Sequence, residues 1–204
     1  MAAVIEPVTL EGRVVRLEPL DRSHIDGLAT AAAEDRSTYA YTSVPAGRDG
    51  AVTYVTEALA EQAAGNQLPF AVRSLATGSL VGSTRFLDIG CWDGPTPTVA
   101  EIGHTWYAAA AQRTAVNTEA KLLLLTHAFE TWGAIRVSLK TDARNARSRA
   151  AIERIGGRFE GVRRAHMKAA GGGIRDTAYF SITADEWPDV RAGLERRLSA
   201  TTPP

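Results

Sequence analysis

The sequence predicts an α/β (more finely α+β) protein: a mixed, mostly antiparallel, twisted sheet of about seven strands with helices on both faces. Three observations carry this. Short runs of alternating apolar and polar residues recur along the chain between clusters of Gly, Pro and Asn. Val116, Ala120, Leu123, Leu124, His127 and Thr131 fall at steps of three and four, which places a helix over 118–132 with one apolar face. That helix lies between two strand-like runs, 98–107 and 135–141, and such a crossover makes the two strands parallel.

The elements follow in order. Residues 8–20 alternate in character and read as one strand closed by Pro19, and Asp21 caps a helix to about residue 33. Residues 34–48 are loop-like. Helix formers dominate 49–64, and Gly65-Asn66 stops them. The runs 69–74 and 80–89 pair as a hairpin across Ala76-Thr77-Gly78. A Gly/Pro-rich loop over 90–97 leads to the strand 98–107. After the long helix, Gly133 is the stop, and 135–141 is the parallel partner. A helix from Asn145 or Ala146 to Ile155 ends at Gly156-Gly157. Strands at 158–164 and 177–182 flank a loose turn at 169–173. A terminal helix over 186–198 and a short tail at 201–204 finish the chain. No internal repeat or long linker divides it, so one domain over 1–204 is expected, with a core of about 8–187.

The chain has 204 residues, 45% of them hydrophobic, which suffices for one ordinary core. Lys+Arg and Asp+Glu both number 23, so no global field draws nucleic acid or a membrane surface. The distribution is uneven. Residues 136–175 hold eleven of the basic residues against Asp142, Glu153 and Glu160, a balance that suits an anionic ligand. The sequence shows no aromatic-interleaved basic motif, which disfavours a nucleic-acid reading. The one cysteine, Cys91, excludes an internal disulfide and a cysteine-based zinc site. No metal is expected. No signal peptide is evident at the start, and no apolar run reaches the roughly eighteen residues of a membrane span, so a cytoplasmic location is expected.

The most informative stretch is 100–157, which reads strand, turn, helix, strand, polar turn, helix. The turn before the first helix aims backbone N–H groups and a helix N-terminus at one point, an arrangement that binds phosphate. The motifs around it are L-E-G-R-V-V-R-L-E-P-L at 10–20, T-G-S-L-V-G-S-T-R-F at 77–86, E-I-G-H-T-W-Y at 101–107, D-A-R-N-A-R-S-R-A-A-I-E-R-I-G-G at 142–157 and R-D-T-A-Y-F-S-I-T-A-D-E-W at 175–187. In their order and spacing they resemble the GNAT acyl-CoA-dependent N-acyltransferases, in the branch of the ribosomal-protein N-terminal acetyltransferases. The resemblance covers about residues 10–187.

The resemblance implies the GNAT fold, its parallel central strands splayed apart, and acetyl-CoA or another short acyl-CoA as co-substrate. It implies transfer to a primary amine: a protein or peptide N-terminus, an amino acid, a polyamine or an amine drug. It also leans toward a homodimer. The family's cofactor loop, Gln/Arg-x-x-Gly-x-Gly/Ala, falls on Gln112, Arg113, Thr114, Ala115, Val116 and Asn117. Ala115 and Asn117 stand where small or glycine residues are usual. Asn tolerates positive φ and caps helices well, so Asn117 is expected to act as cap or amide donor. Loss of those glycines keeps a second reading open, a non-catalytic CoA-binding or regulatory module. By the same resemblance the pantetheine arm runs along His104, Thr105, Trp106 and Tyr107, and an N–H near Thr105 polarises the acyl carbonyl.

An amine attacking a thioester needs a proton acceptor and benefits from a donor to the departing thiolate. Glu101 is the first candidate base. Some branch members carry a carboxylate in the stretch that here reads R-R-A-H-M-K, which makes His166 the alternative. Ser148 matches a serine assigned as acid, and Asn145 an asparagine near the pantetheine. Arg147 and Arg149, with Arg144, stand where they could meet CoA phosphates. Tyr39, Tyr41 and Trp92, with Trp106, are candidate walls of the acceptor pocket. His104 and His127 are expected to be packed, hydrogen-bonded residues rather than catalysts, and His24 lies in the first helix, far along the chain from the motifs.

Overall fold

The computed structural model describes residues 5–201. An eight-stranded sheet runs in the order β1-β2-β3-β4-β5-β6-β8-β7. Its strands are β1 (Leu10–Glu11), β2 (Val15–Pro19), β3 (Leu68–Ser74), β4 (Leu80–Gly90), β5 (Val99–Tyr107), β6 (Arg136–Asp142), β7 (Arg158–Lys168) and β8 (Ile174–Thr183). Every neighbouring pair is antiparallel except β5–β6. The helices are α1 (Ile25–Ala33), α2 (Gly47–Ala63), α3 (Ala115–Thr126), α4 (Ala146–Arg154) and α5 (Trp187–Thr201).

The expected first strand over 8–20 is two strands, which raises the count from seven to eight. The break has a tertiary cause. The buried carboxylate of Glu119, on α3, accepts the backbone N–H groups of Arg13 (2.9 Å), Val14 (2.6 Å) and Val15 (2.7 Å). These donors turn toward the helix. A Cβ on Gly12 would lie 2.4 Å from the Glu119 carboxyl carbon, so this position has no room for a side chain.

Two groups of side chains hold the helices. Residues of α3, α4 and α5 pack with Phe70, Phe86, Ile102, Val137 and Phe180 on one face. Residues of α1 and α2 pack with Ala71 and Trp106 on the other. The long helix starts at Ala115 rather than 118, and it widens into a π turn over His127–Thr131. That turn seats His127 against Phe86 and Trp132, and stacks Phe129 on Trp187 of α5. Thr131, expected on the apolar face, is exposed because the wider turn rotates it outward. The terminal helix runs on to Thr201, and 202–204 of the expected tail lie outside the described residues.

Candidate active site

The sheet opens where its two parallel strands part. β5 and β6 pair only at Val99↔Arg136, Ala100↔Val137 and Glu101↔Ser138. Beyond Glu101, β5 presents an edge of backbone groups to which β6 offers no ladder. On its other side β5 follows β4 with a bulge: Ser83 faces Trp106 and Arg85 faces Gly103, so Thr84 meets both His104 and Thr105. His104 takes φ 49°, rare for a residue with a side chain. The bulge reverses the alternation of the strand. Ile102 and Tyr107 join the cluster on the α3 side, whereas Trp106 packs with α1 and α2.

Glu101 lies at the fork, only 3% exposed. Its carboxylate is 3.0 Å from the ammonium of Lys140, which also reaches Asp88 at 3.3 Å. Burial pushes the Glu101 carboxyl up to about 7, and the charge and hydrogen bond of Lys140 restrain the rise. Burial pulls the Lys140 ammonium down, but the Glu101 carboxylate outweighs it and holds the ammonium above its ordinary value. The two titrate as a pair, and the direction we hold to is a weaker acid at Glu101. Gly103 makes room, since a Cβ there would come within 2.9 Å of Glu101 Oε1.

His166 joins the same face. Its Nδ1 is 3.0 Å from Thr177 Oγ1 and its Nε2 3.2 Å from Tyr179 Oη, so both ring nitrogens are engaged. Tyr179 is the register partner of Lys140, which in turn pairs with Glu101. Burial, then Arg163, Lys140 and Arg175, lower the His166 pKa. Burial, then Arg85, Lys140 and Arg175, lower that of His104. His104 is exposed. Both imidazoles are thus held toward the neutral form on an electropositive surface.

The turn into α3 departs from expectation. Thr114, not Asn117, is the cap: its hydroxyl accepts the Val116 N–H (3.3 Å) and donates to the Ala111 carbonyl (2.7 Å). Arg113 takes the positive φ, 61°. Asn117 lies within the first helical turn, because the cap falls three residues earlier. Ala115 begins the helix, and the Val116 side chain enters the core. Gln112 bridges neighbouring segments, its amide donating to Thr38 Oγ1 (3.0 Å) and to the Tyr107 carbonyl (2.9 Å). Arg147 donates to Gln112 Oε1 and to the Thr38 carbonyl.

Asn145 caps α4 by accepting the Ser148 N–H at 3.0 Å, which sets the Ser148 hydroxyl in the first turn. Arg149 turns toward β7, its guanidinium 5.2 Å from the Phe159 ring, and Arg144 grips Asp142. Tyr39 donates to the Tyr107 carbonyl (3.0 Å) and stands edge-on to Trp106, and Tyr41 lies under Arg144. Trp92 does not join them. It is 64% exposed on the β4–β5 loop, at the closed end of β5 and about 20 Å of strand from Trp106. Two further clefts lie away from the fork, one between α4 and α5 and one beside Ser23 and Arg73.

The groups at the fork suit an acyl-CoA. An unpaired strand edge can hydrogen-bond a pantetheine arm. The N-termini of α3 and α4, with Arg113 and Arg147 beside them, can hold phosphates. Among the described residues no group of acids, histidines and cysteines is arranged to hold a metal ion. Sequence reading missed Lys140, Asp88 and Arg85 at this site, because they lie on β4 and β6 and meet β5, which carries Glu101, only across the sheet.

Residues 15–158 match the family described as the acetyltransferase (GNAT) domain. A GCN5-related N-acetyltransferase from Brucella melitensis is 33% identical, with a TM-score of 0.83 over 97% of this chain and 91% of that one. An acetyltransferase structure from T. thermophilus is 31% identical, with a TM-score of 0.80 over 95% and 98% of the two chains. The Mycobacterium smegmatis RimJ in complex with CoA-disulfide shares the fold at 23% identity, with a TM-score of 0.79 over 95% of both chains. No curated protein matches. The matched domain, the fork between β5 and β6 and the capped turn into α3 together show that the chain belongs to the GNAT family of acetyl-CoA-dependent N-acetyltransferases.

Proposed function

We propose that this protein acetylates a primary amine in a ternary complex, with Glu101 as the general base. The observation that carries this is the Glu101 carboxyl at the fork, buried and pushed up to about 7. A base with a pKa near the working pH takes a proton efficiently and still exists largely in its reactive form. Lys140 holds the carboxylate in place between turnovers.

In this reading Glu101, directly or through one water, accepts the proton of the attacking amine. The Thr105 N–H, turned by the bulge at His104, hydrogen-bonds the acyl oxygen as negative charge develops there. The Ser148 hydroxyl protonates the departing thiolate. The first-turn amides of α3, with Arg113 and Gln112, hold the phosphates of the co-substrate, and Arg147 joins them by leaving Thr38. Tyr39, Tyr41 and Trp106 border the acceptor. The acceptor is a protein N-terminus or a small amine, and the chain works as one cytoplasmic domain that pairs as a homodimer. Among the described residues, no helix is long and apolar enough to cross a membrane.

A thiol-release assay over a panel of amines, repeated with Glu101→Gln and His166→Ala, tests the assignment. The expected result is loss of turnover in the first variant and retention in the second. Full kcat/KM in Glu101→Gln would remove Glu101 from the mechanism. A thermal-shift titration with acetyl-CoA separates the enzyme from a module that has lost its ligand, since binding to the native state raises the melting point.

A further inference from the structure

Lys121 is the most anomalous side chain in the molecule. It lies on α3 within the run K-L-L-L-L, and it is 4% exposed. Among the described residues no carboxylate lies within ion-pair distance of it. Its partners are two hydroxyls: Thr105 Oγ1 at 2.8 Å and Thr84 Oγ1 at 3.4 Å. Those hydroxyls bond each other at 2.8 Å, which closes a three-membered polar cluster. Burial is the sole cause acting on its pKa, and pushes it down to about 7. A buried amine without a counter-ion is costly, and a Leu or Met in its place would fit the surrounding core better.

The two hydroxyls are the two sides of the bulge. Thr84 is the single β4 residue facing His104 and Thr105, the two on β5. The strained backbone of His104 needs the surrounding structure to hold it, because such a conformation is disfavoured by itself. The Lys121–Thr84–Thr105 cluster supplies that hold from the α3 side. Glu119, two residues earlier on the same helix, ties the β1–β2 turn by three N–H bonds, so α3 grips the sheet with two buried charges.

We propose that Lys121 is a positioning residue for acyl transfer: by bridging Thr84 and Thr105 it fixes the bulge of β5, and so aims the Thr105 N–H at the acyl oxygen. Lys121 touches no substrate in this role. It acts through the backbone of Thr105, and the inference rests on the proposed use of that N–H.

The experiment uses the full chain, with acetyl-CoA carrying a 13C-labelled thioester carbonyl, and the variants Lys121→Met and Lys121→Gln. Infrared spectroscopy reads the bound carbonyl, which a hydrogen bond shifts to lower frequency. Calorimetry reads acetyl-CoA affinity, and thiol release reads kcat and KM. In the wild type the bound carbonyl should be displaced from its frequency in water-free solvent. In Lys121→Met it should return toward that value, with kcat reduced roughly tenfold or more, while the acetyl-CoA Kd stays within about threefold. Lys121→Gln keeps a donor for the hydroxyls, so it should recover part of both signals. If Lys121→Met does not fold, Lys121→Gln is compared with the wild type alone: a carbonyl band between that of the wild type and that in water-free solvent supports the role, and a wild-type band with wild-type kcat overturns it. A wild-type carbonyl band and wild-type kcat in both variants would overturn the proposal. Failure of the wild type to bind acetyl-CoA would overturn the enzyme reading and this inference together, a result distinct from binding with an unaltered band.

Discussion

Two ionisable groups are buried on opposite faces of β5, and each is pushed to about 7 from opposite ends of the scale. Glu101, on the face away from α3, has a counter-ion in Lys140. Lys121, on the α3 face, has two hydroxyls and no counter-ion. Burial moves both, because it penalises whichever form is charged. The difference lies in what opposes it. An ion pair lets Glu101 sit at the open fork and exchange protons near neutrality. Hydroxyl partners alone leave Lys121 with the full cost of burial, which is expected only where the side chain has a task. A shifted pKa therefore marks a site, while its partners show what kind of site it is.

The largest expected effect is that of Glu101→Gln. Removing a general base lowers kcat/KM by about 10²–10⁴-fold, and the fall in rate on the acid side of about pH 7 should vanish with it. A pH–rate profile of the residual activity checks both. Next in size is Glu119→Ala, which strands three backbone donors of the β1–β2 turn. Urea unfolding should show a loss of roughly 3 kcal/mol, since one unsatisfied buried group costs about 1–3 kcal/mol and the turn can partly rehydrate.

Lys140→Met tests the pairing itself. Without the ammonium, burial of Glu101 goes unopposed and its pKa should rise above 7. The acid limb of kcat/KM should move to higher pH, so that activity lost at pH 7 returns near pH 9. An unmoved limb would mean that Lys140 does not tune the base.

The smallest effect is on stability. The Lys121 pKa is about 7 in the folded chain and near its ordinary value of 10.5 when unfolded. Below 7 both states carry the proton, and burial of the charge is fully opposed to folding. As pH rises from 7 toward 10.5 the folded chain loses its proton first, and the penalty fades. Lys121→Met should therefore gain melting temperature over the wild type at pH 6, and gain less at pH 9. A difference that does not change with pH would show that folding leaves the Lys121 pKa unlowered, so that the side chain keeps its proton throughout this range.

Local signals were legible where local chemistry decides. Asp21 caps the 3₁₀ turn Arg22–His24 that leads into α1, Asn145 caps α4, Gly78 takes φ 69° in the β3–β4 turn, and Gly156 takes φ 99° after α4. The parallel pair followed from the crossover between 98 and 141. Where contacts from elsewhere decide, reading failed. Asn117 is as good a cap by type as Thr114, and only the packing of Val116 into the core chose between them. The strand over 8–20 alternates throughout, yet a carboxylate about a hundred residues later divides it. Trp92 has the composition of a pocket wall and sits at the wrong end of β5.

Fold class and family are legible in the chain alone, because periodicity, caps and motif spacing are written in contiguous residues. The motif E-I-G-H-T-W-Y likewise puts Glu101 beside the opening. Which charges meet is a matter of tertiary packing. Lys121 reads as one more surface lysine of an amphipathic helix until α3 lies on β4 and β5. Lys140 has no visible role until β6 runs beside Glu101. Burial and pairing depend on distances across the sheet, and no pattern along one strand contains them.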